Sequence, residues 1–210
     1  MRDVAKGEYA PEQIQRMVQG IPFFNEVIRT DPLQIDQIMT RARLLHAEPG
    51  EAVIRKGDTD PNLYFLLKGQ LNVMGGAGDV TVLNTISPGQ PFGTLAMIRS
   101  MPRSATLLAD PKGKAVVLLA LDYNFFRDID DYSLFTLPTK LSFYKMVVND
   151  IRWTLEMAKK ADATGQLAQN MRRVPLFTGQ RGTREELGSL RDQALALADI
   201  LIDWNANGRR

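Results

Sequence analysis

The chain contains no cysteine, and that one absence removes disulfide staples, thiolate metal ligands and cysteine nucleophiles together. With no cysteine and a single histidine, His46, neither a cysteine–imidazole pair nor a histidine-rich metal site can be assembled. Charge of one sign is also scarce. Twenty-six Lys and Arg against 24 Asp and Glu leave a formal charge of +2, too little to argue by itself for nucleic acid or anionic lipid. No apolar run approaches bilayer-spanning length, and the N-terminal MRDVAKGEYAPEQ lacks the apolar core of a signal peptide. The expectation is therefore a cytoplasmic protein with no membrane partner. What remains is ordinary: 44% hydrophobic and 24% charged residues over 210 positions suit one well-packed domain plus an appendage.

Along the chain the hydrophobic period changes twice. PEQIQRMVQ, residues 11–19, reads as a short helix with proline at its start and Gly20 after it, and residues 32–41 as a second helix with Leu33, Ile35 and Ile38 mostly along one side. From Ala42 to Leu121 the period becomes two: RARLLHA, EAVIRKG, NLYFLLKG, QLNVMG, DVTVLNTI, ATLLAD and KAVVLLAL alternate with Gly, Pro and Asp turns. Short strands at this spacing predict an antiparallel barrel or jelly roll. The run Gly75-Gly76-Ala77-Gly78 suits a hairpin turn; no Lys-Ser/Thr follows it, so it is not a phosphate-binding glycine loop. Residues 123–131 predict a brief helix, and Pro138 opens a long one to about residue 160. Its Leu141, Tyr144, Val148, Ile151, Leu155 and Ala158 form a heptad seam, with Phe143, Met146, Trp153 and Met157 on another face. Two apolar faces need two partners, either a second subunit or the C-terminal tail. Residues 161–182 have linker composition. A capping-box signature, Thr183 with Glu186, then opens a helix whose Leu187, Leu190, Ala194, Leu197, Leu201 and Trp204 form another seam, ended by residues 205–208.

The densest signal is PFGTLAMIRSMPRSATLLA, residues 91–109. Phe92-Gly93 ends a strand-like run, and Gly93 allows a ligand close to the backbone. Thr94 to Ile98 begins a short helix whose first N–H groups are unpaired. Arg103, with Ser104, Ala105 and Thr106, brings a guanidinium fork and a hydroxyl to the same place. This combination reads as a phosphate cradle. For Arg103 the competing reading is a structural ion pair with an internal carboxylate.

These residues resemble the cyclic nucleotide-binding domain family, the fold shared by catabolite activator protein and the regulatory subunits of protein kinase A. The family cassette Phe-Gly-Glu-Leu-Ala-Leu, spacer, Arg-Ser/Thr/Ala-Ala-Thr is matched by Phe92, Gly93, Thr94, Leu95, Ala96 and Met97, then Arg103, Ser104, Ala105 and Thr106. Gly50-Glu51, Gly57-Asp58 and Leu63 to Gly69 extend the similarity over roughly residues 20–160. The family glutamate that grips the ribose 2′-hydroxyl is Thr94 here. The resemblance implies a cyclic nucleotide ligand, cAMP ahead of cGMP, bound through Phe92 to Ala96 and Arg103 to Ala105, with Ser104 at the phosphate or at a guanine edge. It also implies a base-capping side chain from the long helix, for which Tyr144, Val148 and Ile151 are the candidates, and a homodimer through that helix.

The expected architecture is α+β and mainly β: an antiparallel β-roll flanked by N-terminal helices, then a long helix and a helical tail. The expected domains are residues 11–160, with a dimerisation helix at about 138–160, a linker at 161–182 and a C-terminal helix at 183–206. The tail faintly resembles the first helix of a helix-turn-helix, but its seam runs unbroken to Trp204, which argues against a family-type winged helix. No catalytic residues, metal or cofactor are assigned, and His46 is read as structural. Asp128, Asp130 and Asp131 are read as a solvated helix end, and Arg172, Arg173, Arg181, Arg184 and Arg191 as a solvated basic face without specific nucleic-acid recognition. The functional expectation is a regulatory sensor signalling to a protein partner of unknown identity. Its rivals are a non-binding interaction scaffold and a transcription regulator of the catabolite-activator type.

Overall fold

Alternating short strands and tight turns fill residues 43–122, as the period-two pattern predicts. The computed structural model describes residues 1–5, 7–75, 78 and 81–207, and these divide into two compact units, Met1–Tyr123 and a second from Asn124 onward.

The first unit holds α1 (Pro11–Gln19), α2 (Pro22–Thr30), α3 (Pro32–Arg41), α4 (Thr94–Arg99) and strands β1 (Arg2–Asp3), β2 (Arg43–Ala47), β3 (Ala52–Ile54), β4 (Asn62–Lys68), β5 (Leu71–Gly75), β6 (Thr81–Ile86), β7 (Pro91–Phe92), β8 (Thr106–Ala109) and β9 (Val116–Asp122). One sheet has the order β1-β2-β9-β4-β7 and the other β3-β8-β5-β6, with every pairing antiparallel. Between them lies a core that includes Leu45, Ile54, Tyr64, Leu66, Leu71, Phe92, Leu107 and Leu118. This is the expected β-roll with flanking helices.

β4 explains itself once both of its faces are followed. Tyr64 and Leu66 point into the roll. Phe65 points the other way, onto Phe24 at 4.9 Å and Phe23 at 6.1 Å between ring centroids. A strand covered on both faces reads as a continuous apolar run, which is the NLYFLLK of the sequence. The run Ile21-Pro22-Phe23-Phe24 opens α2, with proline in its first turn. β1 was not foreseen, because two polar residues paired with the edge of β2 carry no periodic signal. Gly75 pairs with Thr81 across the β5–β6 hairpin; Gly76 and Ala77 of the predicted turn lie outside the described residues.

The second unit is helical: α5 (Asn124–Arg127), α6 (Leu137–Ala158), a 3₁₀ turn (Lys159–Ala161), α7 (Gln166–Arg172) and α8 (Arg184–Asn207). The linker-like segment thus contains a helix, α7. Asp162 caps it by accepting the N–H groups of Thr164, Gly165 and Leu167 at 2.7–3.2 Å. The predicted end of α8 includes Gly208, which lies outside the described residues.

α6 packs along α8. Leu141, Tyr144, Val148, Ile151 and Leu155 are buried, as are Leu187, Leu190, Ala194, Leu197 and Leu201. Of the two partners open to the α6 seam, the tail of the same chain takes it. The long helix accordingly groups with the tail and not with the roll, a division different from the expected boundary at residue 160. Trp153 and Met157 stay exposed at 60% and 39%.

The acidic cluster is more than a solvated helix end. The carbonyls of Asp128 and Asp131 accept from the Lys140 ammonium, which is buried, and the Asp130 carboxylate receives two hydrogen bonds of 2.7 Å from Arg184. At α8 the capping box is shifted by one residue. Thr183 Oγ1 accepts from the Glu186 N–H at 3.2 Å, while the Glu186 carboxylate accepts the Gly182 N–H at 2.6 Å.

Leu197 is fully buried in the α8 seam, so Leu197→Ala is expected to cost about 2–4 kcal/mol. A denaturant titration measures this. If the seam is internal to the chain, the molar mass by light scattering stays unchanged.

Candidate functional site

The phosphate-cradle segment folds as a strand end, a left-handed turn and a one-and-a-half-turn helix. Phe92 closes β7 and stacks on Tyr64 at 5.3 Å. Gly93 follows with φ 82°, a conformation that costs other L-residues about 1–2 kcal/mol. Thr94 and Ala96 are buried, and Leu95 is half-buried. Thr94 is the first residue of α4, where the helix leaves its early N–H groups without intrahelical acceptors.

Arg103 arrives from the other side. Its backbone is held by the Gly57-Asp58 turn, with Arg103 N–H donating to Asp58 O at 2.8 Å and Gly57 N–H donating to Arg103 O at 2.9 Å. Gly57 sits at φ 91°, which accounts for a glycine there. Thr106 supports the same turn by accepting the Lys56 N–H at 3.2 Å. The side chain of Arg103 is 4% exposed and every branch of its fork is engaged. Nε donates to Asp60 Oδ2 at 3.1 Å, Nη2 to Asp60 Oδ1 at 2.6 Å and to Asn62 O at 2.7 Å, and Nη1 to Gly93 O at 2.8 Å. An arginine carries five N–H donors, so one N–H of Nη1 remains beside Gly93. A Cβ on Gly93 would lie 2.3 Å from that Nη1. Glycine is therefore required here both by backbone conformation and by the approach of the guanidinium.

Asp60 was not singled out in the sequence, and it completes the site. Burial opposes its ionisation, but the hydrogen bonds and charge of Arg103, with donors from Asn62, hold its carboxyl below the usual carboxylate range. The Tyr64 hydroxyl donates to Asp60 Oδ1 at 3.2 Å, and the Tyr64 ring lies under the guanidinium at 5.3 Å. Burial, aided by the Asp60 charge, pushes the Tyr64 phenol up. A buried arginine needs a carboxylate partner, and that demand is the signal that directs attention to the acidic residues just before β4.

The structure thus brings together Phe92, Gly93, Thr94, Leu95, Ala96 and Arg103. Ser104 is exposed, and Ala105 is half-buried against the roll core. Tyr144, Val148 and Ile151 belong to the helical unit and are buried; the Tyr144 hydroxyl donates to Phe126 O at 3.3 Å. His46 is buried in β2 with Nδ1 3.7 Å from Glu48. Among the described residues no three His, Asp or Glu side chains gather as a metal site would require, and no helix is long and apolar enough to cross a membrane.

Residues 44–131, which take in the strands from β2 onward, the cassette and Arg103, match the family described as cyclic nucleotide-binding domain. That stretch belongs to the cyclic nucleotide-binding domain family. Among curated relatives, the type II regulatory subunit of cAMP-dependent protein kinase from Drosophila melanogaster is 29% identical over 67% of this chain and 35% of its own length. The acetyltransferase Pat of Mycolicibacterium smegmatis is 37% identical over 37% of this chain and 24% of its own length. The chain therefore spans about a third or less of these relatives, one of them a regulatory subunit and the other an enzyme. Among solved structures, the N-terminal domain of a transcriptional regulator from Streptomyces coelicolor superposes with a TM-score of 0.51 at 20% identity, over 67% of this chain and 94% of that one. That likeness concerns the fold alone.

The Arg103–Asp60 pair sets an acid limit on this domain. Because the folded Asp60 carboxyl titrates below its unfolded value of about 3.9, its contribution is complete above that value and is lost as pH falls through the folded one. Asp60→Asn is expected to cost about 2 kcal/mol at neutral pH. In urea titrations stepped from pH 6 down to about pH 3, the gap between the two proteins should narrow. A gap that widens on acidification would contradict the assignment.

Proposed function

We propose that the chain is a non-enzymatic regulatory module that binds a cyclic nucleotide, cAMP in preference to cGMP, at the turn from Phe92 to Ala96 with Arg103. The observation that carries this reading is the guanidinium of Arg103 held against Gly93 with one Nη1 N–H uncommitted beside the cassette turn. A cyclic phosphate there would meet a fixed cation and backbone donors in a water-poor setting, where charge-assisted hydrogen bonds are strongest. Exposed Ser104 offers a hydroxyl to the phosphate or to a guanine edge.

Thr94 weakens the ribose side. Exchanging a carboxylate for a hydroxyl forgoes a charge-assisted bond of about 1.5–3 kcal/mol, which is about ten- to more than a hundredfold in affinity. Micromolar or weaker binding follows. Tyr144, Val148 and Ile151, the base-capping candidates, are all buried in the helical unit. Homodimerisation through residues 138–160 belongs to the same proposal; its available apolar side chains are Trp153 and Met157. Signalling would pass through the long helix and tail to a protein partner, in a cytoplasmic setting and without specific DNA recognition.

A second reading, a non-binding interaction scaffold, is favoured by one observation: Arg103 gives most of its hydrogen bonds to the protein and is already neutralised by Asp60. A transcription regulator of the catabolite-activator type has no such support.

Calorimetric titration with cAMP and cGMP separates the two. In a binding module, Arg103→Leu weakens nucleotide affinity at least about thirtyfold, and Thr94→Glu tightens it about tenfold or more. In a scaffold, neither nucleotide releases heat at about millimolar concentration, and both substitutions lower Tm because each strands a buried charge. Independently, light scattering at tens of micromolar is expected to give the mass of a dimer, and a monomer would remove the homodimer from the proposal.

A further inference from the structure

Arg152 lies on α6, and its Nη2 is buried without a hydrogen-bond partner, the one such side-chain atom found among the described residues. Buried N–H groups left unpaired are rare in folded proteins, and one on a permanent cation is harder to account for. Arg152 is one of the residues lining a cavity of about 380 Å³ within the helical unit, between α6, the segment 176–181 and α8. This volume falls in the size range of small-molecule sites.

Other cations face the same space. Lys145 Nζ stands 3.3 Å and Arg181 Nη1 3.9 Å from a single oxygen, Oε1 of Glu186. Glu186 is 3% exposed, and its other oxygen is occupied by the Gly182 N–H at 2.6 Å. With three cationic side chains against one carboxylate in the lining, the wall keeps an excess of positive charge, and neither Glu186 nor the lining amides of Asn149 and Gln193 accept from Arg152 Nη2. The rest of the lining is the apolar Val148, Leu176, Phe177 and Leu190 with the amides Asn149 and Gln193.

We propose that this cavity is a binding site for a small carboxylate carried on an apolar or aromatic body. Its carboxylate accepts from the Arg152 fork, with Lys145 and Arg181 adding charge, and its body lies on Val148, Phe177 and Leu190. A planar carboxylate suits the fork of an arginine, and an apolar body suits the remaining wall better than a fully hydrated ion does. The site is independent of the Arg103 region, since all of its lining residues belong to the helical unit.

The test uses the full chain and the sodium salts of benzoate, phenylacetate and octanoate, with benzamide and inorganic phosphate as controls. Thermal shift and calorimetry are expected to show saturable binding of at least one carboxylate, with a Kd on the order of 0.1–1 mM for so small a ligand. Benzamide, which lacks the charge, and phosphate, which lacks the body, should give responses at least about tenfold weaker. Arg152→Met should abolish the carboxylate response while leaving the unliganded Tm unchanged or raised, because it removes an unsatisfied donor. Leu190→Trp, which fills the cavity and spares the charges, should abolish it too. Arg103→Leu should leave it intact, so failure here and failure of the nucleotide proposal are separable. The proposal is overturned if no carboxylate binds saturably up to about 10 mM, if phosphate matches the carboxylates, or if Arg152→Met binds as the parent does.

Discussion

The constraint on which the candidate site of the roll depends is the burial of one guanidinium. Arg103 has left water almost completely, and an arginine cannot relieve that cost by losing its proton. The surrounding chain is arranged to supply acceptors. The Gly57-Asp58 turn fixes where the side chain starts, Asp60 gives both carboxylate oxygens, and carbonyls of Asn62 and Gly93 take one N–H each, which leaves one N–H on Nη1. Residues scattered from position 57 to position 103 are thus tied to a single planar group. An anion at this place would join an arrangement already held near neutrality by Asp60. It would gain from geometry fixed in advance more than from uncompensated charge.

That history explains which parts of the site could be read from sequence. Gly93, Thr94 and Arg103 were legible because a glycine, a helix start and an arginine at a set spacing form a local pattern. Asp60 was not, because it lies 43 positions from its partner within a turn-rich stretch where an aspartate attracts no notice. The fold shows the same division. β4, β9 and the helices at 11–19 and 32–41 announced themselves by periodicity. β1, which exists only by pairing with β2, had no period to show. The α6 seam was visible, but the surface covering it was not, since a heptad pattern is satisfied equally by a second copy or by a helix of the same chain.

The helical unit treats its buried charges in two different ways. Lys140 is enclosed by backbone carbonyls of the acidic loop, and burial draws its pKa down while the neighbouring carboxylates oppose that fall. Glu186 gathers two cations and an N–H at the start of α8. Among the described residues, Arg152 alone keeps a buried side-chain donor without an acceptor. Arg103 in the roll differs: four of the five N–H groups of its fork have acceptors.

β4 carries a further consequence through its two unlike faces. Tyr64 and Leu66 serve the interior of the roll, where Tyr64 also lies beneath Arg103, while Phe65 serves the phenylalanines of α2. Sliding this strand by one position would exchange those roles completely, sending a tyrosine hydroxyl among phenylalanine rings and removing the ring on which the guanidinium rests. In most sheets an out-of-register strand loses only burial. Here it would lose the arginine's seat as well, so the strand's alignment is proofread by two separate surfaces.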